Sequence, residues 1–350
     1  MQTNAAAITE HFVRTPGHET FYLQSGPDDG PVIVFIHGWP ELSLSWRHVL
    51  PCFGAMGFRA VAPDMRGYGR SAVHRGQHGA YAQEHLVADM LALLDALGAD
   101  KAVWVGHDWG TATAWGMASH HPDRCHAVAN LCVPYRTIDR GIEAMLPLVD
   151  RQIYPQDTMP WGQWAYMRYY EEHFQRVTSV FEADPNAFVR AMFRRGNPAG
   201  LGKPNANARI FELNGWFGGA DRAPDVPRDD AVLSEADLCA YAESLTRNGF
   251  FGPDSYYMNH AANLAYSERS VNGGRLDMPV LFIAGRYDIT CESVDSTLAN
   301  PMKAYCSDLT FEAVLSGHWM AQEKPTEVNG VLARWLATKV PQAWPQPAKA

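Results

Sequence analysis

No Gly-x-Ser-x-Gly pentapeptide occurs in the 350 residues, so the serine nucleophile of esterases and lipases has no place to sit. No Cys-x-x-Cys pair occurs either. The six cysteines (Cys52, Cys125, Cys132, Cys239, Cys291 and Cys306) are widely scattered and read as free thiols, not as a disulfide framework or a zinc ribbon. No apolar run approaches the roughly 18 residues of a membrane span, and Met1–Glu10 has neither a basic stretch nor a long apolar core. A soluble, cytoplasmic protein is therefore expected. No Lys/Arg stripe offsets a net charge of −9, which argues against nucleic acid or an anionic membrane as partner and favours a neutral small molecule. Homo-oligomerisation is left open. What the chain does have is 47% hydrophobic and 19% charged residues with no block of one sign, enough for a sizeable core with disorder expected only at the ends.

Apolar, β-branched runs recur at Val32–Ile36, Arg59–Ala62, Ala102–Val105, Ala127–Cys132, Val280–Ile283 and Leu309–Val314, with helical stretches between them such as Tyr81–Leu97 and Thr326–Leu336. This alternation predicts an α/β fold, a mostly parallel sheet flanked by helices. It fails between about Tyr135 and Ser270, where aromatic residues, glycine and proline dominate. Helix signals there cover Gly162–Phe174, Asn186–Phe193 and Ser234–Leu245, the last behind a Ser234/Asp237 capping box, around a long loop over Arg195–Asp230. The reading is one core from residues 1–134 and 271–350 with a helical cap inserted at 135–270. The tail Val340–Ala350 is expected to fray.

Gly106-His107-Asp108-Trp109-Gly110 follows a predicted strand and precedes a helix, the setting of a nucleophile elbow, here with aspartate at its centre. With an ordinary pKa near 3.9 such a carboxylate is already ionised and needs no base to activate it. A histidine is then free to activate water. Asp288, after the strand Val280–Ile283, and His318, after the strand ending near Val314, follow in the chain order nucleophile, acid, histidine, each at a strand's carboxyl end, where open α/β sheets bind ligands. Asp139, after the neighbouring strand, is the alternative acid. His37-Gly38-Trp39-Pro40 ends another strand, so the backbone N–H groups of Trp39 and Trp109 are candidates for an oxyanion hole. His37 and His107 themselves read as structural. Gly67-Tyr68-Gly69-Arg70-Ser71-Ala72 matches a dinucleotide fingerprint, but polar Val73–Gly79 stands where a helix is required, so a loop is expected. His74 and His78 read as surface histidines, and no metal or organic cofactor is implied.

These motifs, with Arg66-Gly67-Tyr68-Gly69-Arg70-Ser71 after Asp64 and Lys324-Pro325-Thr326-Glu327-Val328 after His318, resemble the epoxide hydrolases of the α/β-hydrolase superfamily over nearly the whole chain. The resemblance implies a cis peptide before Pro40 that aims the Trp39 N–H. It also implies two cap tyrosines facing the nucleophile: Tyr166 in Ala165-Tyr166-Met167-Arg168-Tyr169-Tyr170, and Tyr257 in Gly252-Pro253-Asp254-Ser255-Tyr256-Tyr257, with Tyr256 one residue out of register. The expected activity is conversion of a small apolar epoxide and water to a vicinal diol through an ester on Asp108, with Trp39, Trp109, Tyr166 and Tyr257 around the substrate. Haloalkane dehalogenases share the aspartate elbow and the tryptophan after it, but halide leaves without a proton, so paired phenols favour the epoxide. A non-catalytic ligand receptor is the third reading, disfavoured by the complete Asp108, Asp288, His318 set. The rings of Trp161, Trp164, Phe188, Phe193, Trp216, Phe217, Phe250 and Phe251 fit an apolar or aromatic substrate, with packing of the cap as the alternative role for most of them.

Overall fold

The computed structural model describes residues 7–346. Its eight-stranded sheet runs β1 (Ile8–Thr15), β2 (His18–Ser25), β4 (Arg59–Pro63), β3 (Val32–Ile36), β5 (Ala102–His107), β6 (Cys125–Leu131), β7 (Leu276–Gly285), β8 (Cys306–Val314) in spatial order. From β4 to β8 every pairing is parallel, whereas β1 and β2 pair antiparallel with each other and β2 antiparallel with β4. The central strands β3 and β5 are buried at every position, as strands covered on both faces by helices must be. That is why they read as unbroken apolar runs. β1 instead lies half exposed at the sheet's edge, and its polar, irregular pattern left no strand signal.

The predicted helices occur as Gln83–Ala96 and Pro325–Lys339 on the core, with the elbow helix Trp109–His120 packed against β5 and β6. Between β6 and β7 no strand occurs. That insert contains the helices Ala165–Glu182, Pro185–Met192 and Glu235–Asn248, the first longer than its sequence signal and kinked at His173. The capping box forms as read: Ser234 accepts from the Asp237 N–H and the Asp237 carboxylate accepts from the Ser234 N–H, worth about 1 kcal/mol to the helix start.

Two expectations need correction. The tail does not fray before residue 347, because Pro341–Ala343 forms a turn of 3-10 helix and Trp344 packs edge-on against Phe58 at 5.4 Å; residues 347–350 lie outside the described part. His74 and His78 are partly buried, His74 within 3.2 Å of His18 and His78 hydrogen-bonded to Ser255 and stacked on Phe251.

Candidate active site

Because β3, β5, β7 and β8 run parallel, their carboxyl ends lie along one edge of the sheet. That edge brings Trp39, Asp108, Asp288 and His318 to one cavity of about 440 Å³, closed on the other side by Tyr166, Met192, Trp216 and Tyr257 of the insert. Asp108 sits at φ 50°, ψ −124°, a conformation that costs a non-glycine residue on the order of 1–3 kcal/mol and is held by its surroundings. The Thr111 N–H and hydroxyl both donate to the Asp108 carbonyl, at 2.9 and 2.7 Å, and so anchor the elbow. Gly110 cannot be larger: a Cβ there would lie 2.2 Å from the Ile36 carbonyl.

The Asp108 carboxylate accepts from the Trp39 N–H at 2.7 Å through Oδ1, and the peptide bond between Trp39 and Pro40 is cis. Its Oδ2 lies 3.5 Å from His318 Nε2, while His318 Nδ1 is 2.8 Å from Asp288 Oδ2. Asp288 Oδ1 in turn accepts from the Thr290 and Cys291 N–H groups. Burial opposes charge on the His318 ring, but the carboxylates of Asp288 and Asp108 override it and raise its pKa well above the ordinary value. Burial likewise opposes ionisation of Asp288, and the His318 charge wins, lowering it. Asp139 has no part in this: it is buried elsewhere, caps the Thr137 N–H at 2.8 Å, and is pushed up to about 6 by burial.

Tyr166 and Tyr257 both line the cavity, their rings 5.7 Å apart and nearly perpendicular. Burial raises both phenols well above 10, Cys291 and Asp108 adding to it at Tyr166 and Tyr166 and Asp108 at Tyr257, so both keep their protons throughout the neutral range. Tyr256 is turned away, its hydroxyl on the Arg66 carbonyl at 3.0 Å. Tyr257 packs edge-on against Trp109 at 5.1 Å and stacks flat on Tyr170 at 4.3 Å. Of the eight aromatic residues expected near substrate only Trp216 lines the cavity; Phe188, Phe193 and Phe250 are wholly buried. The long loop contributes Arg195, Asn197, Asn205 and Asn207 to a cavity lining that is otherwise mostly apolar.

Three features escaped the sequence. Behind His318, His107 places one ring nitrogen 2.6 Å from Glu41 Oε2 and the other 2.7 Å from the His318 carbonyl. Burial works against the Glu41 charge, but His107 and the Gly38 N–H hold its carboxyl down at about 2. His37, by contrast, accepts from the Met65 N–H and donates to the Gly38 carbonyl, a neutral structural ring. Second, Asp254 is fully buried in the insert. Its Oδ1 accepts from Trp39 Nε1 at 3.0 Å and from the Tyr170 hydroxyl at 3.3 Å, and its Oδ2 is 3.2 Å from the Thr178 hydroxyl. That hydroxyl has one proton and two acceptors, Asp254 Oδ2 and the Phe174 carbonyl at 2.9 Å; with Asp254 protonated, the acid can donate to Thr178 and the Thr178 proton goes to Phe174. Burial pushes its pKa up to about 8, in keeping with a neutral acid. Third, the donor atoms of Cys132, Asp288, Cys291 and His318 lie within 4.8 Å of one another.

A sequence profile of the alpha/beta hydrolase fold matches residues 31–325. The chain is 33% identical over 340 residues to epoxide hydrolase A of Mycobacterium tuberculosis, spanning 94% of this chain and 98% of that protein, and 31% identical to an epoxide hydrolase of Caballeronia sordidicola over 95% and 94%. Among solved structures, epoxide hydrolase A of Mycobacterium thermoresistibile superposes with a TM-score of 0.76 at 30% identity, covering 95% of this chain and 99% of that one. The fold thus defines the class, an α/β hydrolase. Within it, this chain belongs to the epoxide hydrolase family.

Proposed function

We propose that the protein hydrolyses a small epoxide to a vicinal diol, with core residues 1–134 and 271–350 supplying nucleophile and base and the cap, 135–270, supplying the acid. One observation carries the reading: the Asp108 carboxyl group and two phenols that keep their protons, Tyr166 and Tyr257, share one small cavity.

Asp108 attacks an epoxide carbon, the carbon–oxygen bond breaks, and the departing oxygen takes a proton from the paired phenols, which a leaving group as basic as an alkoxide requires. Esterification removes the charge of Asp108, one of the two carboxylates that hold a proton on His318. With that charge gone the ring gives its extra proton to solvent and can act as base, and it takes a proton back from solvent once the Asp108 carboxylate is regenerated. His318, oriented by Asp288, takes a proton from water, and the hydroxide attacks the ester carbonyl. The oxyanion is met by the Trp39 N–H, which already points at Oδ1, and by the Trp109 N–H at the start of the elbow helix. Collapse expels the second diol oxygen, protonated by His318, and the remaining water proton returns to the phenol. The balance is one epoxide and one water to one diol. No helix among the described residues is long and apolar enough to cross a membrane, and a cytoplasmic location belongs to the same proposal.

Single turnover of excess enzyme in ¹⁸O-labelled water tests the covalent step. Label is expected in Asp108 and absent from the first diol released; label in that diol means direct attack by water and overturns the ester.

A further inference from the structure

Nothing in that cycle uses two thiols that stand beside its base. Cys132 is wholly buried where the chain leaves β6, its N–H bonded to the Ile283 carbonyl of β7 at 3.0 Å. Cys291 follows Asp288 past the end of β7, its N–H on Asp288 Oδ1 at 3.1 Å, and it lines the cavity. Two neighbouring strands therefore fix both thiols on the sheet's carboxyl edge. One sulfur each from Cys132 and Cys291, a carboxylate oxygen of Asp288 and a ring nitrogen of His318 all lie within 4.8 Å of one another.

Two sulfurs, one nitrogen and one oxygen make the donor set of a tetrahedral zinc-type site, with metal–sulfur bonds of about 2.3 Å and metal–nitrogen or metal–oxygen bonds of about 2.0–2.2 Å. Donors in such a shell lie roughly 3.3–3.8 Å apart, so side-chain movements of about 1 Å close the set around an ion. A dication that displaces two thiol protons and the proton held on His318 changes the net charge of this buried pocket by only one, and its binding is therefore linked to pH. Thiolates select soft or borderline ions and discriminate against magnesium and calcium, which want an all-oxygen shell. The ion has a path, because Cys291, Asp288 and His318 are reached through the same cavity as the substrate.

We propose that Cys132, Cys291, Asp288 and His318 form a binding site for a soft divalent cation of the zinc or cadmium type, and that its occupancy stops turnover by taking His318 and Asp288 out of service. The consequence for turnover rests on the hydrolytic reading above; the binding does not.

The test titrates metal-free, fully reduced protein with cadmium, following bound metal by equilibrium dialysis, the thiolate-to-cadmium ultraviolet band, and diol formation. One equivalent should bind, with a band of the intensity of two thiolates, activity should fall in step, and a chelator should restore it. Magnesium should do none of this. Cys132→Ala and Cys291→Ala should each weaken binding at least about 100-fold, while Cys125→Ala, a buried cysteine outside the set, should retain the full band. Should either cysteine variant fail to fold, the ¹¹³Cd resonance of the wild type decides, since its chemical shift separates a two-sulfur shell from one of nitrogen and oxygen alone. Cadmium that binds without a thiolate signature, or a full band in Cys132→Ala, overturns the site. A protein that shows the band but makes no diol retains the site and loses the hydrolytic reading instead.

Discussion

Replacing Asp254 by asparagine keeps the side-chain shape and removes a carboxyl whose pKa burial raises to about 8. Asparagine can still accept from Trp39 Nε1 and Tyr170 through its oxygen and can donate to Thr178 through its amide, the pattern drawn for the protonated acid. The two proteins differ in their pH dependence. Burial carries the Asp254 carboxyl from 3.8 to about 8, so between those values the folded protein retains a proton that the unfolded chain gives up. Folding stability contributed at this site therefore falls as pH rises through that window and levels off above it. At about 1.4 kcal/mol for each tenfold change in proton affinity, the whole cost is on the order of 6 kcal/mol once pH exceeds 8, and none of it remains near pH 3. Asp254→Asn is spared that cost. Urea denaturation of both proteins at pH 5, 6, 7 and 8 should show the variant gaining on the wild type by roughly 1.4 kcal/mol per pH unit, since every other titrating group is common to both. Two curves that stay parallel across this range would refute the claim that Asp254 folds as a neutral acid.

Other substitutions probe the site itself. His318→Gln should stop after the first half-reaction, so intact-mass measurement after exposure to a styrene-type epoxide should show one substrate mass added; an unmodified variant speaks against the ester. Tyr166→Phe and Tyr257→Phe should each lower kcat/KM for an epoxide, and the pair together should lower it by about 10²–10⁴, the range of a lost general acid, whereas an unimpaired double variant would mean that the oxygen leaves by another route. Gly38→Ala would set a Cβ 2.5 Å from Asp108 Oδ1 and 2.4 Å from its Cβ, displacing the carboxylate, with a loss of about 10² or more in kcat expected and a near-normal rate counting against the close fit.

The core was legible because its strands are covered on both faces: β3 and β5 announce themselves as unbroken apolar runs, and the elbow's glycines are dictated by backbone approaches such as that of Gly110 to Ile36. Asp108, Asp288 and His318 could be named together because chain order and strand ends are one-dimensional facts. β1 was not legible because it lies exposed at the sheet's edge, and β2 because several of its buried positions carry polar residues, His18, Thr20, Gln24 and Ser25. Asp254 was invisible for a different reason. An aspartate after Gly-Pro reads as an ordinary turn residue, and only packing shows that its partners are Trp39 and, on one helix of the insert, Tyr170 and Thr178. The Glu41–His107 pair and the two thiols were hidden likewise, because scattered positions say nothing about which strand ends stand side by side. The aromatic residues divided between the two roles open to them: Trp216 faces the cavity, whereas Phe188 and Phe193 pack against Trp39 and Trp319 of the core.

The division of labour between sheet edge and insert has a practical corollary. On the proposed cycle, damage to the helices that bear Tyr166 and Tyr257 is expected to starve the supply of esterified protein, and damage around Asp288 and His318 to let it pile up. The quantity of loaded carboxylate present during steady operation thus reports, by itself, which half of the molecule has failed.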